Sequence, residues 1–340
     1  LNKILKTYYE SALALKLPVT YIDAINCLNI FLGGRNYLLL RGITQLNNAS
    51  SIYITKNKRT LNSILQDSGI PVPKSKAIRK TSFQKNPLIK LIPEIKFPVV
   101  AKPALNTDNG RDVLCNIKNI EDLADYLERM FKKHTYMLIE EYQTGLKEYQ
   151  ILLLNNRIIN IIEFTAPTIT GDGQNTIEQL IALKYRPLNK EDSESLSGLN
   201  DDCINCLKDQ GLSLKHVLNK DEIIKIQNAV NRPLGGRTHA VDKHILRKNS
   251  MLIRQAAKIT GLDLVGLDIM CEDINQSFSH SKWLVLEANF APDITLHESP
   301  NEGNPIKVST KILKQLIYQH PFAYLAHRLK LILGRETNNG

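Results

Sequence analysis

The sequence predicts an α+β fold, and three observations carry that reading. The stretch "EYQILLLNNRIINIIEF" is two apolar strands meeting at Asn155-Asn156, a pair that favours the left-handed backbone of a tight hairpin. Two more apolar strands, "LVGLDIMCED" and "KWLVLEAN", follow a helical segment "SMLIRQAAKITG". No internal repeat is present, and strands and helices mix without strict βαβ alternation, so antiparallel sheets flanked by helices are expected.

The elements follow in order. A helix through "LKTYYESALALKL", a break at Pro18, a strand "PVTYID" and the run "IFLGGRNYLLLRGIT" form a small amino-terminal α/β unit, residues 1–56. In "NKRTLNSILQDSGIPVP", Leu61, Ile64 and Leu65 recur at helical spacing, and Gly69 and Pro71 end the helix. Residues 80–96 are polar and punctuated by proline, which predicts a linker or hairpin. "FPVVAKPALNTDNGRDV" gives a strand ending at Lys102 and a polar turn around Gly110; a helix "IEDLADYLERMFKK" and a strand "YMLIEEY" follow. Residues 175–227 read as mostly helical and polar, and the tail "VSTKILKQLIYQHPFAYLAHRLKLIL" as helical with a break at Pro321.

Composition narrows the function. With 340 residues, 43% hydrophobic and 23% charged, the chain can bury a sizeable core. No apolar run approaches the ~20 residues of a membrane span. The first residues carry Glu10 and no small-residue cleavage pattern, so a cytoplasmic protein without a membrane partner is expected. The net charge of +10 is spread along the chain with no nucleic-acid-binding motif beside it, so no nucleic-acid partner is expected. Cys203 and Cys206 form a C-x-x-C, but no second pair of ligands stands nearby and the stretch reads as one helix; ordinary thiols are expected rather than zinc or redox chemistry.

The chemistry is concentrated in "LVLEANFAPDITLHESPNEG". Glu287 and Asn289 lie two residues apart on an apolar strand and therefore share a face, and Asp268 interrupts the strand "LVGLDIM". If the two strands are antiparallel neighbours, three oxygen-bearing side chains converge, a set suited to Mg²⁺. Separate caps or ion pairs would satisfy them equally well. Lys102 ends "FPVVAK" before Pro103, where its ammonium can meet a phosphate or simply water.

Taken together, "SGIPVP", "FPVVAKP", "LIEEY", "KEYQILLLNNRII", "TITGDGQNTIEQLI", "NRPLGGRTHAVD", "GLDIMCED" and "LEANFAPDITLHESPNEG" resemble the ATP-grasp superfamily of carboxylate–amine ligases. The nearest resemblance is to the modules of cyanophycin synthetase and bifunctional glutathione synthetase. It implies an ATP-grasp fold: an amino-terminal α/β domain, a lid over 57–143, and a carboxy-terminal antiparallel-sheet domain over 144–335 with the metal site. It implies that Lys58 and Lys102 contact ATP, that Glu140 and the segment Glu141, Tyr142 and Gln143 hold adenine, and that Glu148 holds the ribose. Gly110, Arg186, Gly235 and Gly236 would lie near the phosphates. Asp268, Glu287 and Asn289 would hold two Mg²⁺ ions, with Mn²⁺ a possible substitute. Lys102, Arg232 and Arg237 would act at the reacting groups, with His297 a further acceptor contact.

The resemblance further implies a reaction in which ATP phosphorylates a carboxylate and an amine displaces the phosphate, releasing ADP. The substrates would be small, an amino acid or short peptide, and a homodimer is possible. Neither a glutamate–cysteine ligase region nor a Mur-ligase-like region is recognisable, which suggests a stand-alone ligase. Three positions depart from the pattern: Gln150 replaces a usual Arg, Asp112 a Gly in the turn, and Asp293 a Gly after "EANFAP". They imply a changed acceptor site; a nucleotide-binding module without ligase activity is the alternative.

Overall fold

The structure, a computed structural model, describes residues 1–104, 112–185, 199–230, 236–241 and 245–336. Its first unit packs helix α1 (Lys3–Ala14) on a meander of β1 (Val19–Ile22), β2 (Cys27–Leu32) and β3 (Arg35–Leu40). Asn2 caps α1 by accepting from the Leu5 amide at 2.9 Å. Two helices then lead inward, α2 (Ala49–Lys56) and α3 (Lys58–Asp67). Asn57 caps α3, and Gly69 ends it in the left-handed conformation at φ +76°, as the sequence predicts.

The next unit is a sheet in the order β4-β7-β5-β6, from β4 (Ser75–Arg79), β5 (Val99–Pro103), β6 (Leu114–Ile117) and β7 (Tyr136–Glu141). Helix α6 (Ile120–Met130) covers one face, its Leu123, Tyr126, Leu127 and Met130 buried against Val99, Ala101 and Ile139. Between β4 and β5, residues 80–96 form neither linker nor hairpin but two short helices, α4 (Lys80–Lys85) and α5 (Leu88–Leu91). The physical reason is burial: Leu88 and Ile92 enter this unit's apolar core, with Phe83 and Leu91 packed against it.

The central sheet is antiparallel, in the order β12-β9-β8-β13-β14. Strands β8 (Lys147–Leu154) and β9 (Arg157–Thr165) are the expected hairpin, with Asn155 and Asn156 at φ +48° and +58°. An excursion follows: β10 (Thr168–Thr170), α7 (Ile177–Lys184), α8 (Asp201–Asp209) and β11 (Ile223–Lys225). It has an apolar core of its own, including Ile169, Ile177, Cys203, Leu218 and Ile226. Cys203 and Cys206 are buried free thiols on α8, and burial pushes both thiol pKa values up, to about 12 and about 11.

Strand β12 (Arg237–Val241) returns to the sheet, α9 (Arg247–Thr260) crosses it, and β13 (Leu264–Cys271) and β14 (Trp283–Asn289) complete it. The chain ends in α10 (Thr295–Glu298), α11 (Val308–Gln319) and α12 (Pro321–Glu336), the last two parted at Pro321 as expected. Strand alternation sorts the two faces of the sheet. Tyr149, Ile151 and Leu153 of β8 pack with Ile253, Ala256 and Ala257 of α9 and with Leu61 and Leu65 of α3. On the other face, Leu152 and Leu154 join Leu5 and Tyr8 of α1 and Ile312 of α11. Glu148 and Gln150 share that second face further along β8. Among the described residues no helix is long and apolar enough to cross a membrane.

Candidate active site

A cleft of about 1150 Å³ opens between the two larger sheets. Its lining includes Lys58 at the start of α3, Lys102 of β5, Glu140 to Gln143 at the end of β7, Glu148 and Gln150 of β8, Asp268 of β13, and Glu287 and Asn289 of β14. Register explains the meeting of the acids. Asp268 lies opposite Glu287 on one side and Gln150 on the other, while Gly266 lies opposite Asn289. Antiparallel partners point to one face, so Gln150, Asp268, Glu287 and Asn289 form one polar patch on an apolar sheet. A bulge after Asp268 resets the pairing, so that Ile269 meets Val285 and returns to the apolar core.

Hydrogen bonds fix this patch. Gln150 Nε2 donates to Asp268 Oδ1 at 2.8 Å, and Asn289 Nδ2 donates to Asp268 Oδ2 at 2.8 Å. Asn289 spends its amide hydrogens on Asp268 and, at 3.4 Å, on Glu287, and among the described residues its Oδ1 is left as an open acceptor. Lys58 Nζ lies 2.8 Å from Glu287 Oε2. Burial and the neighbouring Glu287 hold the Asp268 carboxyl well above the ordinary range. Burial works the same way on Glu287, but Lys58 and Lys102 overcome it and hold that carboxyl low. One buried acid, Asp268, and one half-buried acid, Glu287, that share a face with a carboxamide oxygen form a donor set for a hard divalent cation. Among the described residues no group of three or more His, Cys, Asp and Glu side chains is placed to hold a metal ion, so a cation here would need the Asn289 carboxamide as well as the two carboxylates.

Lys102 and Glu140 sit on adjacent strands and form an ion pair that is largely buried. Burial alone would lower the Lys102 pKa, yet Glu140, reinforced by Glu287, raises it, so the ammonium stays charged. Glu140 Oε1 is buried with no partner, an acceptor facing an unfilled demand for a donor. In the strand exit that follows, Glu141 N–H donates to Lys74 O at 3.0 Å and Tyr142 N–H to Pro98 O at 2.9 Å, which stiffens it as one piece. Gln143 Nε2 folds back onto Glu141 O at 2.8 Å. Glu148 has its carboxyl raised to about 7, by burial first and Glu287 second.

Other expected site residues lie elsewhere. The Arg237 guanidinium is more than half exposed and pairs with Glu302 Oε1 at 2.7 Å, outside the lining of the cleft. Gly236 is buried beside it at the head of β12. His297 is fully buried behind Gln150 and is out of reach of an acceptor molecule, because α10 carries it into the core. Gly110, Arg186, Arg232 and Gly235 lie outside the described residues. Sequence reasoning missed Lys225, Asn228 and Ala229, which line the cleft from the excursion. Nothing local marks them, since the distant Asp202 positions Asn228 and Ala229 by accepting from both amides, at 2.8 and 2.9 Å.

Comparison with known proteins adds to this geometry. Residues 64–181 match the family model for the D-ala D-ala ligase C-terminus. Cyanophycin synthetase of Synechocystis sp. is 27% identical over 318 residues, covering 92% of this chain and 36% of that protein. The glutathione biosynthesis bifunctional protein GshAB of Enterococcus faecalis is 27% identical over 286 residues, 82% of this chain and 37% of its own length. The chain thus spans little more than a third of these curated relatives. The bifunctional glutathione synthetase of Pasteurella multocida superposes with a TM-score of 0.60 at 22% identity, over 93% of this chain and 43% of that one, and shows the fold. Likeness across nine-tenths of the sequence, a shared α+β fold and an acid-bearing cleft between two antiparallel sheets agree: the chain has the ATP-grasp fold and is similar in sequence to these synthetases.

Proposed function

We propose that the protein is an ATP-dependent ligase that joins a carboxylate to an amine through an acylphosphate, releasing ADP and phosphate. The observation that carries this reading is the cleft itself. Two lysines, Lys58 paired with Glu287 and Lys102 paired with Glu140, line the same cleft as Asp268, Glu287 and Asn289, and that cleft is large enough for a nucleotide and a small substrate. The relatives, a cyanophycin synthetase and a glutathione biosynthesis protein, support amino-acid or short-peptide substrates.

In this reading Glu140 Oε1 accepts from the adenine amino group, which satisfies its orphaned buried oxygen, while the Glu141–Gln143 segment forms the wall beside the base. Glu148 holds the ribose. Lys102 and Lys58 balance the phosphate charges. Asp268, Glu287 and Asn289 Oδ1 would hold two Mg²⁺ ions, with Mn²⁺ able to replace them; bound there, the ions neutralise charge at the phosphoryl oxygens. The substrate carboxylate attacks the γ-phosphorus and ADP departs. The amine then attacks the acyl carbon, phosphate leaves, and the amine's proton passes to phosphate or solvent. The sheet patch contributes mainly position and charge, which is most of what phosphoryl transfer requires of a protein. A cytoplasmic setting, where ATP is abundant, suits this chemistry.

A coupled ADP-release screen with pools of amino acids and dipeptides tests the proposal. Turnover should give ADP and phosphate in equal amounts, and hydroxylamine should trap the activated carboxylate as a hydroxamate. Release of AMP and pyrophosphate would overturn it.

A further inference from the structure

Behind the cleft, the polar patch continues into the core. Gln150 and His297 are both buried, and His297 Nε2 lies 3.2 Å from Gln150 Oε1. The carboxamide therefore has its two ends engaged, Oε1 by the imidazole and Nε2 by Asp268 Oδ1 at 2.8 Å. With the Gln150 NH₂ donating to Asp268, its oxygen faces His297, whose Nε2 must carry the hydrogen. The remaining ring nitrogen, Nδ1, is buried with no partner, which suits an unprotonated acceptor. Burial holds the imidazole pKa near 3, so the ring is neutral at ordinary pH and donates through Nε2 alone.

The surroundings leave this arrangement no slack. His297 belongs to α10, just after Ala291, Pro292, Asp293, Thr295 and Leu296, which form one wall of the cleft. Its carbonyl accepts from Ile306 N–H at 3.1 Å, which fixes α10 to the chain leading into α11. Across the sheet Gly266 leaves the room that Gln150 fills. A Cβ there would lie 3.0 Å from Pro292 Cβ and 3.4 Å from Gln150 Cδ, tighter than ordinary contact.

We propose that Gln150 and His297 are positioning residues for the cation site: His297 fixes the Gln150 carboxamide with its NH₂ toward Asp268, and so sets the carboxylate's orientation. The proposal rests on the assignment of Asp268, Glu287 and Asn289 to a divalent cation. With Asn289 on the other oxygen, Asp268 is held at both ends before any ion arrives, which lowers the ordering cost on binding. Partners of this kind typically change metal affinity 10–100-fold when lost.

The test is direct binding of Mn²⁺ to the whole chain in the presence of ADP, read as free ion by electron paramagnetic resonance and corrected for Mn²⁺–ADP alone. Glu287→Gln should abolish protein-dependent binding. Gln150→Met, which keeps volume but removes both hydrogen bonds, should weaken it by about 10–100-fold, and His297→Leu should weaken it in the same direction. His297→Gln, which restores a donor, should recover part of the loss. With ATP as substrate, the apparent KM for Mg²⁺ should rise more than kcat falls. If Glu287→Gln loses binding while folded Gln150→Met and His297→Leu both stay within about twofold of the parent, the positioning role is overturned and the cation site stands. If Glu287→Gln binds Mn²⁺ as the parent does, the cation assignment fails and this proposal fails with it.

Discussion

Lys102 and Glu140 are an ion pair that folding has almost dried, and removing one partner has two separable consequences. Lys102→Ala withdraws a charge from the phosphates, which should weaken ATP binding at least ~10-fold for a charge-assisted contact of ~1.5–3 kcal/mol. It also strands the Glu140 carboxylate, which is 3% exposed and whose other oxygen already lacks a partner, at a cost of about 3–5 kcal/mol in stability. The double variant Lys102→Ala/Glu140→Gln should recover much of the stability, seen by urea denaturation, and none of the ATP affinity. If ATP affinity returned with the stability, Lys102 would be structural only. Glu148 gives a second residue-scale prediction. Its carboxyl is raised from the ordinary 4.5 to about 7, so the folded state holds a proton that the unfolded chain releases earlier. Stability from this group is complete below pH ~4.5 and is lost as pH rises to about 7. The melting temperature of Glu148→Gln minus that of the parent, both nucleotide-free, should therefore grow across that window and level off above it. Parallel curves would contradict the shift.

At the scale of elements, legibility in the sequence tracked whether a signal was local. The hairpin at Asn155-Asn156 was readable because its turn chemistry occupies two adjacent residues. The acids of β13 and β14 were readable because each breaks an apolar strand, and their convergence followed once the strands were taken as neighbours. Helices α4 and α5 were not, since their apolar residues are few and acquire meaning only against α6 and the strands of the four-stranded sheet. His297 looked like a surface ligand because a histidine beside "ESPNEG" carries no mark of the core that encloses it. Asn47 was invisible for the same reason. Its Nδ2 donates to Leu264 O at 2.7 Å and Phe290 O at 2.9 Å, and its Oδ1 accepts from the amides of Asp263 and Leu264, both at 2.9 Å. One buried side chain thus joins the segment before α2 to the start of β13 and the exit of β14, across more than two hundred residues of sequence. Asn47→Ala should leave several of these backbone groups unpaired and lower stability by ~3 kcal/mol or more, measured by denaturant unfolding. A change within about 0.5 kcal/mol, the range of ordinary surface substitutions, would mean water replaces the side chain.

At the scale of the molecule, the cleft is closed from three directions, and α8 is where two of them are tied together. Asp202, buried at the amino-terminal turn of α8, accepts from the amide of Cys115 in β6 at 3.0 Å and from those of Asn228 and Ala229 in the excursion. The same helix contacts the β4–β7 unit at two further points: Arg129 of α6 reaches Asp201 at 3.0 Å, and Asn205 Nδ2 donates to Cys115 O at 2.7 Å. Cys115, Asn228 and Ala229 all line the cleft, so one carboxylate holds the β6 edge of the four-stranded sheet and the excursion wall in fixed relation. Two walls bound this way should respond to nucleotide as one body. Hydrogen exchange on the parent should show ADP slowing amides of 112–117 and 226–230 together and by similar factors. In Asp202→Ala one buried amide, Cys115, and two half-buried ones, Asn228 and Ala229, lose their acceptor, so both segments should exchange faster without nucleotide, and ADP should protect 112–117 without protecting 226–230 to the same degree. The KM for ATP should rise with kcat less affected, because the walls must then be ordered at the expense of binding. Arg129→Ala breaks only an exposed pair, worth at most ~1 kcal/mol, and should leave the joint protection in place. If Asp202→Ala also preserved the joint protection, apolar packing rather than the Asp202 staple would be what couples the two walls.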